Sequence, residues 1–108
     1  MEMIAKPVKV RSKKLRDSAK GQACTLQIPG ICNHNNETTV LAHVSCGDKG
    51  MATKPSDLSA CFACSCCHDA IDGRVPGYDV GEQLVFRAIL KTQHKWVEMG
   101  LLKVEGMA

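Results

Sequence analysis

Large aromatic side chains are scarce in this chain of 108 residues, which has one tryptophan, one tyrosine and two phenylalanines. A chain of this length normally folds as one domain with a single core. Because it has few bulky side chains to bury, we expect a cross-link or a bound metal to compensate for a thin core. The seven cysteines are the candidates for that role.

Long apolar runs are also lacking. No run approaches the roughly 20 residues that a membrane-spanning helix needs, and the N-terminus, MEMIAKPVKVRSKK, has neither the apolar segment nor the cleavage site of a secretory signal. These absences predict a cytoplasmic protein without a membrane partner. A cysteine cluster in a reducing compartment more often binds metal than forms disulfides, and the odd number of cysteines favours the same interpretation.

Positive charge is concentrated at the N-terminus. Residues 1–20 contain seven lysines or arginines and two acidic residues, a net of +5 within an overall formal charge of +3. We interpret residues 1–20 as a basic arm with a short helix from Ser12 to Gly21, and residues 21–108 as the body of the domain. Charge of this sign attracts a polyanion such as DNA, although a solvated tail has the same composition. The residues expected to contact phosphates are Lys9, Arg11, Lys13, Lys14 and Arg16.

Two short strands are predicted in the first half of the body. The segments TLQI and TTVLAHVS are rich in β-forming residues, and PG and NHNNE supply turn residues between them. In this interpretation Cys24 and Cys32 flank the Pro29-Gly30 turn. Residues 46–58 contain two glycines and a proline and are predicted to form a loop of the kind that often carries function.

Helices are predicted in the second half. CCHDAIDGR favours a short helix that ends at Gly73, and a longer helix is predicted from Val80 to Met99, with Asp79 and Glu82 as its capping residues. In this long helix an apolar stripe is expected to pack on the small sheet. The stripe consists of Val85, Ile89, Leu90, Trp96 and Val97. The predicted fold class is therefore α+β.

The stretch ACFACSCCHDAID concentrates thiols in a pattern typical of a zinc knuckle. Both Cys61-x-x-Cys64 and Cys64-x-x-Cys67 have the spacing that lets two thiolates reach one ion. We favour the second pair, because the first would leave Cys66 and Cys67 as spare thiols. The predicted ligands of a structural zinc are Cys24, Cys32, Cys64 and Cys67. Unligated core thiols are the alternative, and Cys46, Cys61 and Cys66 are interpreted as small buried residues.

His68 and Asp72 lie four residues apart and would share one face of the short helix. An imidazole and a carboxylate are acceptable ligands for a divalent cation such as Mg²⁺ or Mn²⁺. His43, at the end of the second predicted strand, could then take a proton from water beside a phosphate. Each residue also has a simpler interpretation: His43 as a structural hydrogen-bonding group, and the other two as an ordinary surface pair.

The motifs IPGIC, ETTVLAHVS, KPSDL and ACSCCHDAIDGR occur in an order that resembles the YbcO-like family of small prophage-encoded proteins, over roughly residues 13–103. That family is regarded as belonging to the nucleases of the HNH, or ββα-metal, superfamily. The resemblance implies a β-hairpin and a helix around a catalytic metal, with a structural zinc and the Cys64/Cys67 register. It implies His43 as general base, His68 as metal ligand and Asp72 as a second ligand, in the cytoplasm of a bacterial host.

Two positions depart from the superfamily's pattern. Ala42 stands where an acidic metal ligand often precedes the first histidine, and no asparagine lies between His43 and His68. Asp57 or Asp48 is a candidate replacement for the missing ligand, although Asp57 could equally cap a turn.

The function predicted from these features is a metal-dependent endonuclease, with nucleic acid, most simply DNA, as its partner and a homodimer as one way to cut both strands. A zinc-stabilised nucleic-acid-binding protein without catalysis is the main alternative. A thiol-redox protein is the third, because the two C-x-x-C patterns overlap.

Overall fold

The computed structural model describes residues 10–44 and 56–106. Within these ranges the chain has a pair of antiparallel strands and a long C-terminal helix, which confirms the α+β class. Lys9, Cys46 and Asp48 lie outside the described residues. The elements, in chain order, are α1 (Lys13–Asp17), a 3₁₀ helix (Asn36–Thr38), β1 (Val40–His43), β2 (Ala60–Ala63), α2 (Ser65–Ile71) and α3 (Glu82–Glu98).

The strand pair differs from the predicted one. β1 lies within the predicted segment TTVLAHVS, but its partner is β2, with His43 opposite Ala60. The segment 25–28, predicted as a strand, is irregular, although the backbone N–H of Thr25 donates to the carbonyl of Phe62 at 2.8 Å. The prediction of a strand there was wrong. Alternate residues of the segment are buried, as they would be in a half-exposed strand, but its backbone does not form a strand ladder.

The short helix α2 follows directly from β2. Cys64 is its N-cap residue, and the chain leaves the helix at Gly73 with a φ of +79°. A left-handed conformation of this kind favours glycine, because a side chain would be strained there. The predicted helix after the cysteine cluster is therefore confirmed, together with its closing glycine.

The long helix α3 is slightly shorter than the predicted range of 80–99. Its N-cap is Gly81, with no side-chain hydrogen bond, so the predicted capping by Asp79 was wrong. At the other end, Gly100 has a φ of +77°, as expected for a residue that ends a helix.

The buried face of α3 packs mainly on β2, which confirms the predicted contact between helix and sheet. The hydroxyl of Thr92 accepts a hydrogen bond from the backbone N–H of Phe62 at 3.0 Å, so a polar residue lies at the centre of this contact. Val85 and Ile89, from the predicted stripe, are only partly buried. The fully buried residues of the helix are Ala88, Thr92 and Trp96.

The core has two adjoining parts. One surrounds the cysteines and α2, and the other surrounds Phe62 and Trp96, whose rings meet edge to face at a centroid distance of 6.0 Å. Leu15 and Ala19 belong to this second part, and Trp96 Nε1 donates to Ser18 Oγ at 2.7 Å. The described part of the N-terminal segment is thus packed against the strands and α3. None of the described helices is long and apolar enough to cross a membrane.

Candidate active site and metal centre

Four cysteines from two distant parts of the chain come together at the N-terminal end of α2. Their Sγ atoms all lie within 4.8 Å of one another, and those of Cys32 and Cys64 are 3.8 Å apart. A tetrahedral zinc with Zn–S bonds of about 2.3 Å requires sulfurs about 3.8 Å apart. The cluster can therefore hold a metal such as zinc. Its members are Cys24, Cys32, Cys64 and Cys67, the four that the sequence pattern selects.

Backbone N–H groups point at these sulfurs. Gln27 N–H donates to Cys24 Sγ and Cys67 N–H to Cys64 Sγ, each at 3.4 Å. Both bonds join residues three apart, so each ligand pair begins with a tight turn that directs amide dipoles at a sulfur. N–H groups in this orientation stabilise a thiolate, which is the form that binds metal.

The surroundings change the thiol pKa values unequally. Burial raises the pKa of Cys64, but backbone N–H groups of Asn33 and Cys67 outweigh it and lower the pKa to about 7. Burial raises the pKa of Cys32 and Cys67 above the ordinary value. Of these three, Cys64 is thus the sulfur that ionises first near neutral pH.

Two further cysteines of the described segments lie outside the four-sulfur cluster. Cys61 is fully buried on β2, and burial raises its pKa to about 12, so it is a neutral core thiol as predicted. Cys66 is partly exposed, with its Sγ 3.7 Å from Asn33 Nδ2, so the prediction that it is buried holds only in part.

His34 lies closer to the cluster than its sequence position suggested. It is exposed, but its Nδ1 lies 3.7 Å from Cys32 Sγ, and the residue has a φ of +55°. The short spacing Cys32-x-His34 is the sequence feature that could have indicated this contact.

His43 is hydrogen bonded to a buried carboxylate. Its Nε2 lies 2.7 Å from Asp57 Oδ1, and the His43 side chain keeps 27% of its surface exposed while that of Asp57 has none. The pair joins the end of β1 to the turn that precedes β2. Sequence reasoning named Asp57 as a substitute metal ligand or a turn cap and missed its contact with His43.

Asp57 has several other partners. Its Oδ2 accepts hydrogen bonds from the backbone N–H of Ser12 at 2.6 Å and from Arg16 Nη1 at 2.9 Å, and Arg11 Nη1 lies 4.0 Å from Oδ1. Burial raises the pKa of this carboxyl, but the hydrogen bonds from His43, Ser12 and Arg16 outweigh it and hold the pKa below its ordinary value. Both oxygens are thus engaged by donors. In the described segments Asp57 is not part of a group of three or more ligand side chains close enough to share an ion, so its role as a replacement ligand stays a prediction.

His68 and Asp72 lie on one face of α2, as predicted, with Nε2 and Oδ2 3.3 Å apart. Arg74 approaches the same carboxylate, with Nη1 3.4 Å from Asp72 Oδ2 and 3.0 Å from Asp69 Oδ1. In the described segments, the cysteine cluster is the one group of three or more ligand side chains close enough to share an ion. His68 and Asp72 therefore offer two ligand atoms without a third.

A cavity of about 500 Å³ brings the two halves of the predicted site together. His43 lines it from β1, and Asp72 lines it from the end of α2. Tyr78 and Asp79, which sequence reasoning did not connect with the site, also line it. His68 does not line this cavity. The imidazole and the carboxylate thus face a common space large enough for a phosphate group.

The described basic residues of the N-terminal segment have different surroundings. Lys13 pairs with Asp17 at 2.7 Å on the exposed side of α1, and Lys14 is exposed. Arg11 and Arg16 lie on the side that meets Asp57, with 45% and 38% of their side chains exposed. A buried carboxylate therefore holds the Arg16 guanidinium, a contact that sequence reasoning missed.

Comparison with known proteins relates the chain to phage-associated proteins. A family model described as "Putative nuclease YbcO" matches residues 13–101. The chain is 45% identical over 92 residues to "Putative nuclease YbcO" from Escherichia coli (strain K12), which covers 82% of this chain and 96% of the relative. A relative named "Putative nuclease ybcO" from Enterobacteria phage 82 has the same identity and coverage.

A solved structure is similar as well. It is described as "Structure of a putative bacteriophage protein from Escherichia coli str. K-12 substr. MG1655" and aligns with a TM-score of 0.67 at 40% sequence identity. The alignment covers 81% of this chain and 100% of that one. The residues matched by the family model include the four clustered cysteines and His43, His68 and Asp72.

Proposed function

Because the chain belongs to the family described as "Putative nuclease YbcO", we propose that it is a metal-dependent endonuclease of the HNH, or ββα-metal, type. It hydrolyses phosphodiester bonds of DNA during phage or prophage DNA processing or recombination. The observation that carries the proposal is His43, which is hydrogen bonded to Asp57 at 2.7 Å and lines one cavity with Asp72. The chain order β1, β2, α2 supports the fold type.

A structural zinc on Cys24, Cys32, Cys64 and Cys67 joins the segment before β1 to the start of α2. The sulfur separations and the N–H groups directed at Cys24 and Cys64 support this role. Structural zinc sites contribute directly to folding. In a chain with few large apolar side chains, the ion fixes α2, and with it His68 and Asp72, against the strands.

The catalytic cation belongs on His68 and Asp72. Their ligand atoms are 3.3 Å apart, near the separation of about 3 Å for neighbouring ligands of an octahedral ion with bonds of 2.0–2.2 Å. Mg²⁺ commonly takes one or two protein ligands and leaves its other positions to water and phosphate oxygens. When bound, such an ion neutralises negative charge on the phosphate and on the leaving oxygen.

His43 is the general base of the reaction. Its ring accepts the proton of the attacking water as the water oxygen bonds to phosphorus and the bond to the leaving oxygen breaks. Asp57 holds the ring at the edge of the cavity. A positioned base of this kind accelerates hydrolysis by about 10²–10⁴-fold.

The basic arm, residues 1–20, holds the DNA backbone. Contacts of lysine and arginine with phosphates are independent of base sequence and weaken as salt rises. Arg16 keeps part of its side chain exposed while it binds Asp57, so phosphate contacts adjoin the carboxylate that is hydrogen bonded to His43. The residues assigned to these contacts are Lys9, Arg11, Lys13, Lys14 and Arg16.

The site of action is the cytoplasm of the bacterial host, where phage DNA is processed. Cleavage of both strands of a duplex requires two active sites or two successive cuts, and a homodimer with two-fold symmetry supplies the first arrangement.

A plasmid-nicking assay tests this proposal. Supercoiled plasmid is incubated with zinc-loaded protein in Mg²⁺, in Mn²⁺ and in EDTA, and DNA binding is measured in parallel. We expect nicking by the wild type with added cation, and its loss in His43→Ala with binding retained. Binding without nicking by the wild type under every condition would contradict the endonuclease proposal.

A non-catalytic nucleic-acid-binding protein is the second candidate function. The observation that favours it is the position of Arg74, whose guanidinium competes with a cation for Asp72 at 3.4 Å. This candidate predicts binding of DNA by wild type and His43→Ala alike, with no cleavage by either. Arg74→Ala separates the two candidates further, because it increases nicking at low Mg²⁺ only if Asp72 binds the cation.

A further inference from the structure

We propose that Asp57 is a positioning residue that fixes His43 in one tautomer, with Nε2 protonated and Nδ1 left as the nitrogen that accepts the proton of water. Ser12 and Arg16 complete the arrangement by holding Asp57 itself. The inference rests on the proposed function for the catalytic use of Nδ1. The tautomer itself is a property of the folded protein and can be measured without cleavage.

The tautomer follows from the chemistry of the two partners. An ionised carboxylate has no proton to donate, so in a hydrogen bond of 2.7 Å between Asp57 Oδ1 and His43 Nε2 the imidazole must donate. The carboxylate stays ionised because two other donors, Ser12 N–H and Arg16, bind its second oxygen. A neutral imidazole has one N–H, so Nδ1 carries the lone pair.

The carboxylate has little freedom to turn. Oδ2 accepts from Ser12 N–H at 2.6 Å and from Arg16 Nη1 at 2.9 Å, which leaves Oδ1 for His43. The backbone N–H of Asp57 also donates to the carbonyl of Val10 at 2.8 Å. With no side-chain surface exposed, the carboxylate is held by the segment 10–16 on one side and faces His43 on the other.

This arrangement links the described part of the basic arm to the catalytic site. The residues that hold Asp57 are part of, or next to, the segment proposed to contact phosphates, and Arg16 belongs to both sets. The orientation of His43 therefore depends on how residues 10–16 pack against Asp57. A residue that acts through His43 in this way changes the rate of the chemical step more than the affinity for DNA.

An asparagine at position 57 gives a sharp test of this inference. Ser12 N–H and Arg16 are both donors, so the single carbonyl oxygen of Asn must take the position of Oδ2. The amide NH₂ then faces His43 and donates to Nε2, which reverses the tautomer and places the proton on Nδ1. A histidine in the wrong tautomer has no lone pair toward the water.

The experiment measures the His43 tautomer by ¹⁵N NMR in the full-length, zinc-loaded protein, above the pH at which the ring is charged. Wild type, Asp57→Asn and Asp17→Asn are compared, the last as a control that neutralises an exposed carboxylate on α1, which pairs with Lys13 at 2.7 Å. Zinc content verifies folding. Plasmid cleavage is measured on the same samples, with kcat and KM determined separately.

We expect Nε2–H in the wild type and in Asp17→Asn, and Nδ1–H in Asp57→Asn. We also expect a fall in kcat of about 10²–10⁴-fold for Asp57→Asn, with KM nearly unchanged. An Nδ1–H tautomer in the wild type, or an unchanged tautomer and kcat in Asp57→Asn, would overturn the inference. If Asp57→Asn does not fold, the wild-type spectrum alone decides between the two tautomers.

The outcome for the proposed function is distinguishable. A tautomer reversal without cleavage by the wild type would support the positioning of His43 by Asp57 and would exclude the endonuclease. Cleavage by the wild type with an Nδ1–H tautomer would support the endonuclease and exclude this role of Asp57.

Discussion

The sulfurs of Cys32 and Cys64 lie 3.8 Å apart, although 32 positions separate the two residues in sequence. Both β1 and β2 lie between them in sequence, so the contact closes the segment that carries His43. Cys64 is also the N-cap residue of α2, which carries His68 and Asp72. A metal bound at this point therefore holds both halves of the proposed active site together.

Replacing one clustered cysteine will remove the metal. We expect about one zinc per chain in the wild type and none in Cys64→Ser, with a large loss of stability because metal binding is coupled to folding. Cys66→Ala is the matched control, since its sulfur lies outside the cluster on the same helix. The measurement is metal content by mass spectrometry with thermal unfolding. Full zinc occupancy in Cys64→Ser would contradict the assigned ligand set.

Asp57 gives the protein a pH-dependent stability. Its pKa is lowered from 3.8 in the folded state, so its contribution is complete above about pH 4 and is lost as the pH falls through the lower folded value. We expect Asp57→Asn to be less stable than the wild type by about 3 kcal/mol near pH 6, because a buried, paired charge is removed. The difference will narrow below pH 4, as measured by urea unfolding at a series of pH values.

Asp17→Asn is the control for that series. The pKa of Asp17 is also lowered, by its hydrogen bond to Lys13, but the pair is exposed to solvent and is screened. We expect only a small difference from the wild type at each pH. A loss for Asp57→Asn that stays constant down to pH 2 would contradict the assignment of an ionised carboxylate.

The hydrogen bond between Trp96 and Ser18, the C-cap residue of α1, connects α1 to α3. Ser18→Ala leaves the buried Nε1 of Trp96 without the acceptor that now lies at 2.7 Å, at an expected cost of about 1–3 kcal/mol. Ser65→Ala, which removes an exposed hydroxyl, should cost less. Urea unfolding followed by the fluorescence of the single tryptophan measures both. Equal losses would show that the Trp96 contact contributes little.

Binding of DNA should depend on salt through the basic arm. Lys14 is exposed, and its replacement by methionine is expected to weaken binding at low salt and to reduce the slope of log K against log salt by about 0.9. Lys91→Met, on the exposed side of α3, should leave the slope unchanged. Fluorescence anisotropy with a labelled duplex at several salt concentrations measures this. An equal change in slope for both variants would contradict the assignment of the phosphate contacts to the basic arm.

The helices and the cysteine cluster could be predicted in large part from local signals. Gly73 and Gly100 marked helix ends correctly because a left-handed residue favours glycine. C-x-x-C spacing left two overlapping pairs open, and the favoured one, Cys64 and Cys67, lies in the cluster. The strand pairing could not be predicted in this way. All four residues of β2 are buried, so it lacks the alternation that marks a half-exposed strand.

The partners of Asp57 could not be predicted from the sequence either. Ser12 and Arg16 lie 45 and 41 positions away, and their approach depends on how α1 docks against the core. Nothing local in KPSDL distinguishes a buried anchor from a turn-capping aspartate. The basic pattern of the N-terminal segment likewise hid the difference between the exposed Lys14 and the carboxylate-bound Arg16.

The most direct test of the account is the single-turnover cleavage rate of a labelled DNA duplex in Mg²⁺ or Mn²⁺ by wild type, His43→Ala and His94→Ala at equal zinc content. His94 is an exposed histidine of α3 whose Nδ1 lies 2.8 Å from the carbonyl of Leu90. We expect His94→Ala to match the wild type and His43→Ala to be slower by about 10²–10⁴-fold with unchanged affinity for the duplex. Equal cleavage rates for all three proteins would contradict the assignment of His43 as the base.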